Sequence, residues 1–350
     1  MFHALLSPLL ACVPATPAVV DGSSAERGWI AVVEPELDPE QLAEGLPVLA
    51  ERSVLLGSGA RIVRLAPTGS GTLAASVVPV LAERPGVLSI EADGAVVSPD
   101  LHRCRAEGDL VSQGCTQAFY DGAPSAETFE SQALVQLTGS QFAARNLADV
   151  PVLVAVVDTG IDPRHPAFGG RVPEDGFDFT AGVVGGWDFA NGLDDDGDGL
   201  VDEAFGHGTH VASTIALLSP NAVILPLRVL DSDGNGSAFE LAEAIHFAVV
   251  SGAEVINLSL AMQTSSPAVS AALDFASAMG VDVVAAAGNT ADSRTLFPST
   301  HPGVLAVAAL DFQDRRAAFS GVGPLVAVSA PGVGIYAAMP AGQYAWWSGT

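Results

Sequence analysis

The chain has 350 residues, of which 40 are acidic and 14 are basic, so its formal net charge at pH 7 is −26. All the basic residues are arginines, which excludes Walker-type phosphate binding through lysine, lysine Schiff bases and Ser–Lys dyads. The acidic excess also argues against nucleic-acid binding, which depends on neutralising phosphates. With 49% apolar and 15% charged residues, the chain is predicted to fold around a large core, and its length suits about two domains.

Residues 1–27 are predicted to carry an export signal. A short apolar run within Met1–Ala18 is followed by small residues, as in secretory signal peptides, although no basic residue precedes it and Pro8 interrupts it. The string that ends in Cys12 is similar to a bacterial lipoprotein cleavage box. We therefore expect a secreted or cell-envelope protein, with a lipid anchor at Cys12 as an alternative to simple secretion.

Residues 28–98 form one compositional unit. Apolar runs predict strands at Trp29–Val33, Arg61–Leu65 and Val87–Glu91, and the segments Pro39–Arg52 and Thr72–Glu83 are predicted to be helical. This alternation indicates a small α/β module.

Residues 99–128 are polar and form a predicted linker or processing region. Cys104 and Cys115 lie close enough in sequence to close a small disulfide loop in an exported protein. Two free thiols are the alternative.

Residues 129–350 are predicted to form a larger domain in which buried strands alternate with helices. Such a pattern indicates an α/β fold with a mostly parallel sheet, covered by helices on both faces, whose sites lie at the carboxyl ends of the strands. The predicted strands are Val152–Val157, Val223–Leu230, Glu254–Leu260, Val281–Ala287 and Val304–Ala309, and the predicted helices are His207–Leu218, Ala238–Val250 and Pro267–Met279. The uncharged stretch Gly208–Leu227 is broken by two prolines, so no membrane span is expected.

Two motifs at element ends contain groups suited to proton transfer. Asp158, in an Asp-Thr-Gly string, ends the first buried strand, and His207 opens a helix between two glycines that leave room for close approach. Asp-Thr-Gly also occurs in aspartic proteases, but those need a second such aspartate and the chain has no second Asp-Thr-Gly. Zinc binding by His207 and His210 is a further alternative, although the usual helical motif spaces its histidines four apart with a glutamate between them.

Two later motifs are typical of buried strands that run into turns. One contains Asn257 and Ser259, and the other ends in Gly288 and Asn289. A carboxamide at a strand tip can donate a hydrogen bond to a developing oxyanion, which contributes about 3–4 kcal/mol in characterised enzymes.

These four motifs, in this order, resemble the subtilisin family of serine peptidases from about Phe129 onward. The resemblance implies that Asp158 orients the catalytic histidine, that His207 is the general base and acid, and that Asn289 completes the oxyanion hole. It also implies a polypeptide substrate that adds a strand in a cleft. The implied cleft residues are Ser259, Leu260, Ala261, Ala286, Ala287 and Gly288.

Further matches and three departures accompany the resemblance. The Phe297-Pro298 pair matches a position where the family often has a cis proline. Ser213 and Ala261 stand where the family usually has glycine, which we expect to narrow the site without abolishing it. In the family, Ser-Gly-Thr is followed at once by the nucleophilic serine, whereas this sequence ends at Thr350. We therefore expect a piece of a longer endopeptidase zymogen that is inactive as given; the alternative is a non-catalytic, calcium- and peptide-binding pseudoprotease.

An acidic loop precedes the His207 motif. Alternating carboxylates followed by Gly199 are suited to wrapping one Ca²⁺ ion, although the twelfth position of an EF-hand would be Phe205 rather than glutamate. The predicted ligands are Asp194, Asp196, Asp198, Leu200 and Asp202. A solvated acidic loop is the alternative.

The 28–98 module is similar to the propeptides of subtilisin-like zymogens. By that resemblance it would assist folding and act as an intramolecular inhibitor in the cleft, with cleavage between Ser98 and Phe129. An unrelated α/β binding module remains the alternative.

Overall fold

A computed structural model describes residues 28–57, 59–68, 77–98, 125–140, 150–173, 176–194, 200–290 and 294–350. The predicted export segment with Cys12, the predicted disulfide between Cys104 and Cys115, and the predicted ligands Asp196 and Asp198 lie outside the described residues. None of the described helices has the length and apolar character needed to cross a bilayer.

The leading module is a four-stranded antiparallel sheet with two short helices. Its strands run in the spatial order β2-β3-β1-β4. Leu42, Val77 and Leu81 of the helices pack on the sheet face that carries Ala31 and Val33. The bounds are β1 Trp29–Val33, α1 Pro39–Ala43, β2 Val48–Leu56, β3 Ala60–Pro67, α2 Val77–Ala82 and β4 Val87–Ala92.

The prediction of one helix over Pro39–Arg52 is wrong in its second half. The helix ends at Ala43, because Gly45 adopts a positive φ of 73° and Pro47 lacks the N–H that a continuing helix would need. Strand β2 then follows at the edge of the sheet. Along it, more exposed and less exposed residues alternate, as expected for a strand with one face toward solvent. The module is therefore more strand-rich than the sequence pattern indicated.

The larger domain contains an eight-stranded sheet in the order β14-β13-β12-β11-β6-β9-β7-β8. All neighbouring pairs are parallel except β7 and β8, which form an antiparallel edge. This confirms the predicted mostly parallel sheet. The bounds are β6 Val152–Asp158, β7 Gly176–Asp178, β8 Val183–Gly185, β9 Ala222–Arg228, β11 Val255–Leu258, β12 Asp282–Ala286, β13 Val304–Leu310 and β14 Val326–Pro331.

Helices cover both faces of this sheet, as predicted. On one face, Ala212 and Ala216 of a helix pack against Val154 and Val156 of β6. On the other face, two helices pack against residues that include Ala155. The helix bounds are α3 Ala126–Ser131, α4 Ala133–Leu137, α5 His207–Leu218, α6 Ala238–Val250 and α7 Pro267–Ala278.

The module rests on α6 and α7 through its second sheet face. Ile30 and Val32 belong to the same buried cluster as Phe239 of α6 and Leu273 of α7. Because side chains alternate along a strand, β1 contributes to two cores at once.

Two module carboxylates sit at the N-termini of these helices. Asp93 Oδ1 accepts a hydrogen bond from the Phe239 N–H at 3.0 Å. Glu91 Oε1 accepts from the Ser266 hydroxyl and from the Ala268 N–H, both at 2.8 Å. These carboxyl oxygens accept helix N–H groups that have no partner within the helix, so the contacts stabilise docking.

We predict that Glu91→Gln makes stability less dependent on pH. Burial raises the pKa of Glu91 from 4.5 to about 7, outweighing the hydrogen bonds from Ala268 and Ser266. The folded chain therefore binds this proton more tightly than the unfolded chain, so the Glu91 contribution is complete below pH 4.5 and is lost as pH rises through about 7. The neutral glutamine should avoid that loss.

The measurement is thermal unfolding between pH 4 and 8. The melting temperature of Glu91→Gln relative to wild type should rise across this window, whereas that of Glu83→Gln, at an exposed module position, should stay level. If the melting temperatures of Glu91→Gln and wild type differed by the same amount at every pH, the prediction would be contradicted.

Candidate active site

Asp158 and His207 form a buried hydrogen-bonded pair at the carboxyl edge of the sheet. Asp158 ends β6 and His207 begins α5. The His207 Nδ1 atom lies 2.7 Å from Asp158 Oδ1, which also accepts the Thr159 N–H at 2.8 Å. An Nδ1–H that donates to the carboxylate makes Nε2 the basic atom of the neutral ring.

Gly206 and Gly208 leave room on either side of His207 for neighbouring segments. A Cβ on Gly208 would lie 2.1 Å from the Gly160 carbonyl oxygen, and one on Gly206 would lie 2.3 Å from the Met339 Cε. The Gly208 N–H instead donates to Thr159 Oγ1 at 3.0 Å. The interpretation that these glycines make room for neighbouring groups is confirmed.

A hairpin formed by β15, Ile335–Met339, and β16, Gln343–Trp347, packs against α5. The Trp347 ring centroid lies 5.2 Å from that of His207 in an edge-to-face arrangement. Ser213 Oγ accepts the Ala338 N–H at 3.0 Å, so the serine that replaces the family's glycine joins α5 to the hairpin.

His210 has a structural environment. Its Nε2 lies 3.1 Å from the Ile335 carbonyl oxygen. Burial, and after it the neighbouring His207, lower the pKa of His210 to about 4. The two histidines therefore bond to different partners, which does not support the alternative of a shared zinc ion.

Asn289 lies beside the segment Ser348–Thr350. Its Oδ1 accepts the Thr350 N–H at 3.1 Å, and the Gly288 N–H donates to Thr350 Oγ1 at 3.2 Å. The Gly349 N–H donates to the Gly332 carbonyl at 2.9 Å. The structure thus brings the predicted oxyanion residue next to the Ser-Gly-Thr string.

The module's last strand lies between two edges of the larger domain. Strand β5, Ala95–Val97, pairs antiparallel with β10, Asn235–Ser237. On its other side, Val97 and Ala261 exchange backbone hydrogen bonds of 2.9 and 2.8 Å. This added strand contacts one of the predicted cleft residues directly.

The other predicted cleft residues lie at neighbouring strand tips. Ser259 Oγ accepts a hydrogen bond from the Asn257 side chain at 3.0 Å, and Leu260 is buried. Ala286 ends β12, and Ala287 bonds through its backbone to Val307 and Leu296 of the same domain. Gly288 adopts a φ of 100°, which favours glycine at this turn. The Phe297–Pro298 bond is cis, as predicted.

Thr159 and Thr209 were missed as site residues by sequence reasoning. Thr159 Oγ1 accepts from the first turn of α5, and Thr209 Oγ1 accepts the Asp162 N–H at 3.0 Å. Both threonines belong to the motifs that identified Asp158 and His207. The motifs therefore marked their positions, but a sequence does not show which groups they bond to.

The predicted calcium loop is described only in part. Asp194 is exposed, and Asp202 adopts a φ of 52° while its carboxylate accepts the N–H groups of Asn191 and Gly192 at 2.8 and 2.9 Å. Within the described ranges, which omit Asp196 and Asp198, no three His, Cys, Asp or Glu side chains are grouped as metal ligands.

A helix-borne histidine oriented by a buried aspartate, at the edge of a parallel sheet, is the acid–base arrangement of a class of α/β hydrolytic enzymes. The sequence profile described as the Subtilase family, Peptidase S8, matches residues 150–350, more than half of the chain. The chain belongs to the subtilase family.

Individual relatives agree with this assignment. The thermophilic serine proteinase of Bacillus sp. (strain AK1) is 40% identical over 207 residues, which are 56% of this chain and 48% of that protein. This match therefore spans about half of the relative. Thermitase of Thermoactinomyces vulgaris is 37% identical over 56% of this chain and 68% of its own length. Subtilisin E of Bacillus subtilis (strain 168) is 29% identical over 94% of this chain and 77% of its own length.

A solved structure supports the fold. A cold adapted subtilisin-like serine proteinase matches with a TM-score of 0.50 and 29% identity, covering 58% of this chain and 71% of that chain.

We predict that Gly208→Ala destabilises the folded chain by about 2 kcal/mol or more, because its Cβ would meet the rigid Gly160 carbonyl. Gly59→Ala is the matched control, since its Cβ would meet only the Leu56 oxygen at 3.9 Å. Urea unfolding of both variants measures the difference. Equal stabilities would show that the two segments can separate without cost.

Proposed function

We propose that this protein is a serine endopeptidase that cleaves polypeptides through Asp158, His207 and a serine nucleophile. The observation that carries the proposal is the 2.7 Å hydrogen bond between Asp158 and His207 at the edge of the sheet. Asn289 beside Thr350 supports it. The names of the relatives, which are serine proteinases and subtilisins, agree with this activity.

In the proposed reaction, His207 transfers one proton in each of two half-reactions. The serine oxygen attacks the carbonyl carbon of the scissile bond while His207 Nε2 takes the hydroxyl proton, and the imidazolium then protonates the leaving amine. Water then attacks the acyl-enzyme carbonyl while His207 Nε2 takes a water proton, and the imidazolium returns that proton to the serine oxygen as the ester bond breaks and the acid is released. Asp158 holds the ring through Nδ1 and stabilises its positive charge, and the Asn289 amide N–H donates to the oxyanion.

We place the nucleophile directly after Thr350, by resemblance to the family. The hydrogen bonds of Thr350 to Gly288 and Asn289 support this placement, because a following residue would start beside the oxyanion donor. The 350-residue polypeptide would then lack the attacking atom.

We predict that the 350-residue polypeptide does not hydrolyse casein, and that a version extended by serine and the subsequent subtilase segment does. In the extended version, His207→Ala should lower the rate by roughly 10⁴-fold or more. His301→Ala, which changes a histidine paired with Asp274, should retain activity. Labelling by a fluorophosphonate and insensitivity to pepstatin would separate the serine mechanism from an aspartic one.

A folded but inert extended version would instead favour the non-catalytic alternative, a calcium- and peptide-binding pseudoprotease. This alternative is supported by the position of β5 between Asn235–Ser237 and Ala261. Binding a peptide as an added strand needs no nucleophile.

We further propose that residues 28–98 act as an intramolecular inhibitor that is removed by cleavage between Ser98 and Phe129. The support is that β5 lies where an added peptide strand would pair. We also propose export, the domain limits 1–27, 28–98, 99–128 and 129–350, and the Cys104–Cys115 disulfide.

We propose one structural Ca²⁺ ion in the acidic loop. The described donors suit a hard cation, because Asp194 and Asp202 are carboxylates and Leu200 offers a backbone oxygen. Burial pushes the pKa of Asp202 upward, but hydrogen bonds from Ser232, Asn191 and Gly192 outweigh it and hold the pKa below its ordinary value.

We predict that chelation of Ca²⁺ lowers the melting temperature of the wild-type chain. Asp196→Ala should remove this difference, because the remaining carboxylates would bind the ion more weakly. Asp282→Ala, at an exposed position of β12, should respond to chelation like wild type. Identical melting curves with and without chelator would exclude the site.

A further inference from the structure

Asp188 stands in the loop that follows β8, and this loop is fastened to the segment after Asp158. Trp187 forms a β-bridge with Ile161, and the Asp188 N–H donates to the Ile161 carbonyl at 3.2 Å. The backbone of the loop therefore pairs with the segment that follows Asp158.

The Asp188 carboxylate bonds to both sides of the catalytic histidine. Its Oδ1 accepts the Gly206 N–H at 3.3 Å, and its Oδ2 accepts the Thr209 hydroxyl at 2.9 Å. Thr209 Oγ1 in turn accepts the Asp162 N–H at 3.0 Å. One side chain thus connects the first turn of α5 with the segment that carries Asp158.

The start of α5 needs such an acceptor from outside the helix. Its N-cap residue is Gly206, in a left-handed conformation with a φ of 91°, and it has no side chain for capping. A larger residue would be strained there because side chains disfavour this positive φ. Helix N-termini favour a negative group, and Asp188 supplies it from a neighbouring loop.

Charged groups from two strands face Asp188. Arg228 of β9 donates through Nη1 to the Trp187 carbonyl at 3.1 Å, and Asp158 of β6 lies within electrostatic range. Burial raises the pKa of Asp188 to about 7; hydrogen bonds from Thr209 and Gly206 and the charge of Arg228 oppose this shift, and Asp158 adds to it. When ionised, Asp188 is a second negative charge beside the first turn of α5, in addition to Asp158.

We propose that Asp188 is a positioning residue for the Asp158–His207 pair. It holds the first turn of α5 against the segment that follows Asp158, and its charge adds to that of Asp158 at the His207 ring. This role rests on the proposed function of His207 as the general base.

The test is the titration of His207 in the 350-residue chain, followed by NMR with ¹⁵N-labelled histidine. Asp188→Asn removes the charge and retains the size, so the midpoint of the His207 titration should fall by about half a unit to one unit. Asp178→Asn is the matched control: Asp178 lies 3.8 Å from the same Arg228 but bonds to Thr180 and Ala181. An unchanged midpoint in Asp188→Asn would overturn the proposal.

A second pair of variants decides the outcome if Asp188→Asn does not fold. Thr209→Val breaks the link to Asp188 and retains its charge, so the Nδ1–H resonance of His207 should shift or broaden. Thr209→Ser keeps the hydroxyl and should resemble wild type. A Thr209→Val resonance that coincides with wild type would also overturn the positioning role.

These readouts need no nucleophile. If the extended version is inert while the His207 titration responds as expected, the proposed peptidase activity fails and the positioning role stands. If hydrolysis is observed and the titration does not respond, only the positioning role fails.

Discussion

The 2.7 Å hydrogen bond between Asp158 and His207 depends on an unusually close approach of two backbones. The first turn of α5 lies so near the segment after β6 that a single Cβ on Gly208 would overlap the Gly160 carbonyl. Thr159 and Thr209 use this proximity to bond across the gap. The histidine is therefore held by short contacts on both sides, and its ring orientation follows from the packing of a helix on a strand tip rather than from its own side-chain preferences.

The order of the strands determines which other segments lie near the Asp158–His207 pair. Strands β12, β11 and β6 are neighbours and run in parallel, so their carboxyl ends meet at one edge. Asp158 follows from β6, Ala261 comes shortly after β11, and Asn289 comes shortly after β12. The edge that pairs with Val97 thus lies between the Asp158–His207 pair and Asn289. Strand β5 of the leading module occupies that edge.

The leading module contacts the larger domain through apolar packing and hydrogen bonds. Its sheet is apolar on both faces, and Glu91 and Asp93 place carboxylates on the N-termini of α7 and α6. Both side chains accept backbone N–H groups that have no partner within their helices. Docking of the module and placement of β5 beside Ala261 are therefore coupled, because the segment from Glu91 to Val97 is short.

The sequence by itself determined the buried strands, the helices between them, and the positions of Asp158, His207 and Asn289, because apolar runs and turn residues act locally. Only the tertiary structure decided that β2 replaces half of a predicted helix, that Ser213 bonds to a hairpin more than 100 residues away, and that Asp188 bonds to Gly206 and Thr209 at the start of α5. It likewise decided the partners of Glu91 and Asp93. Each of these depends on groups distant in the chain, and a hydrogen bond between such groups leaves no periodic pattern in the sequence, since its geometry exists only once the layers have packed.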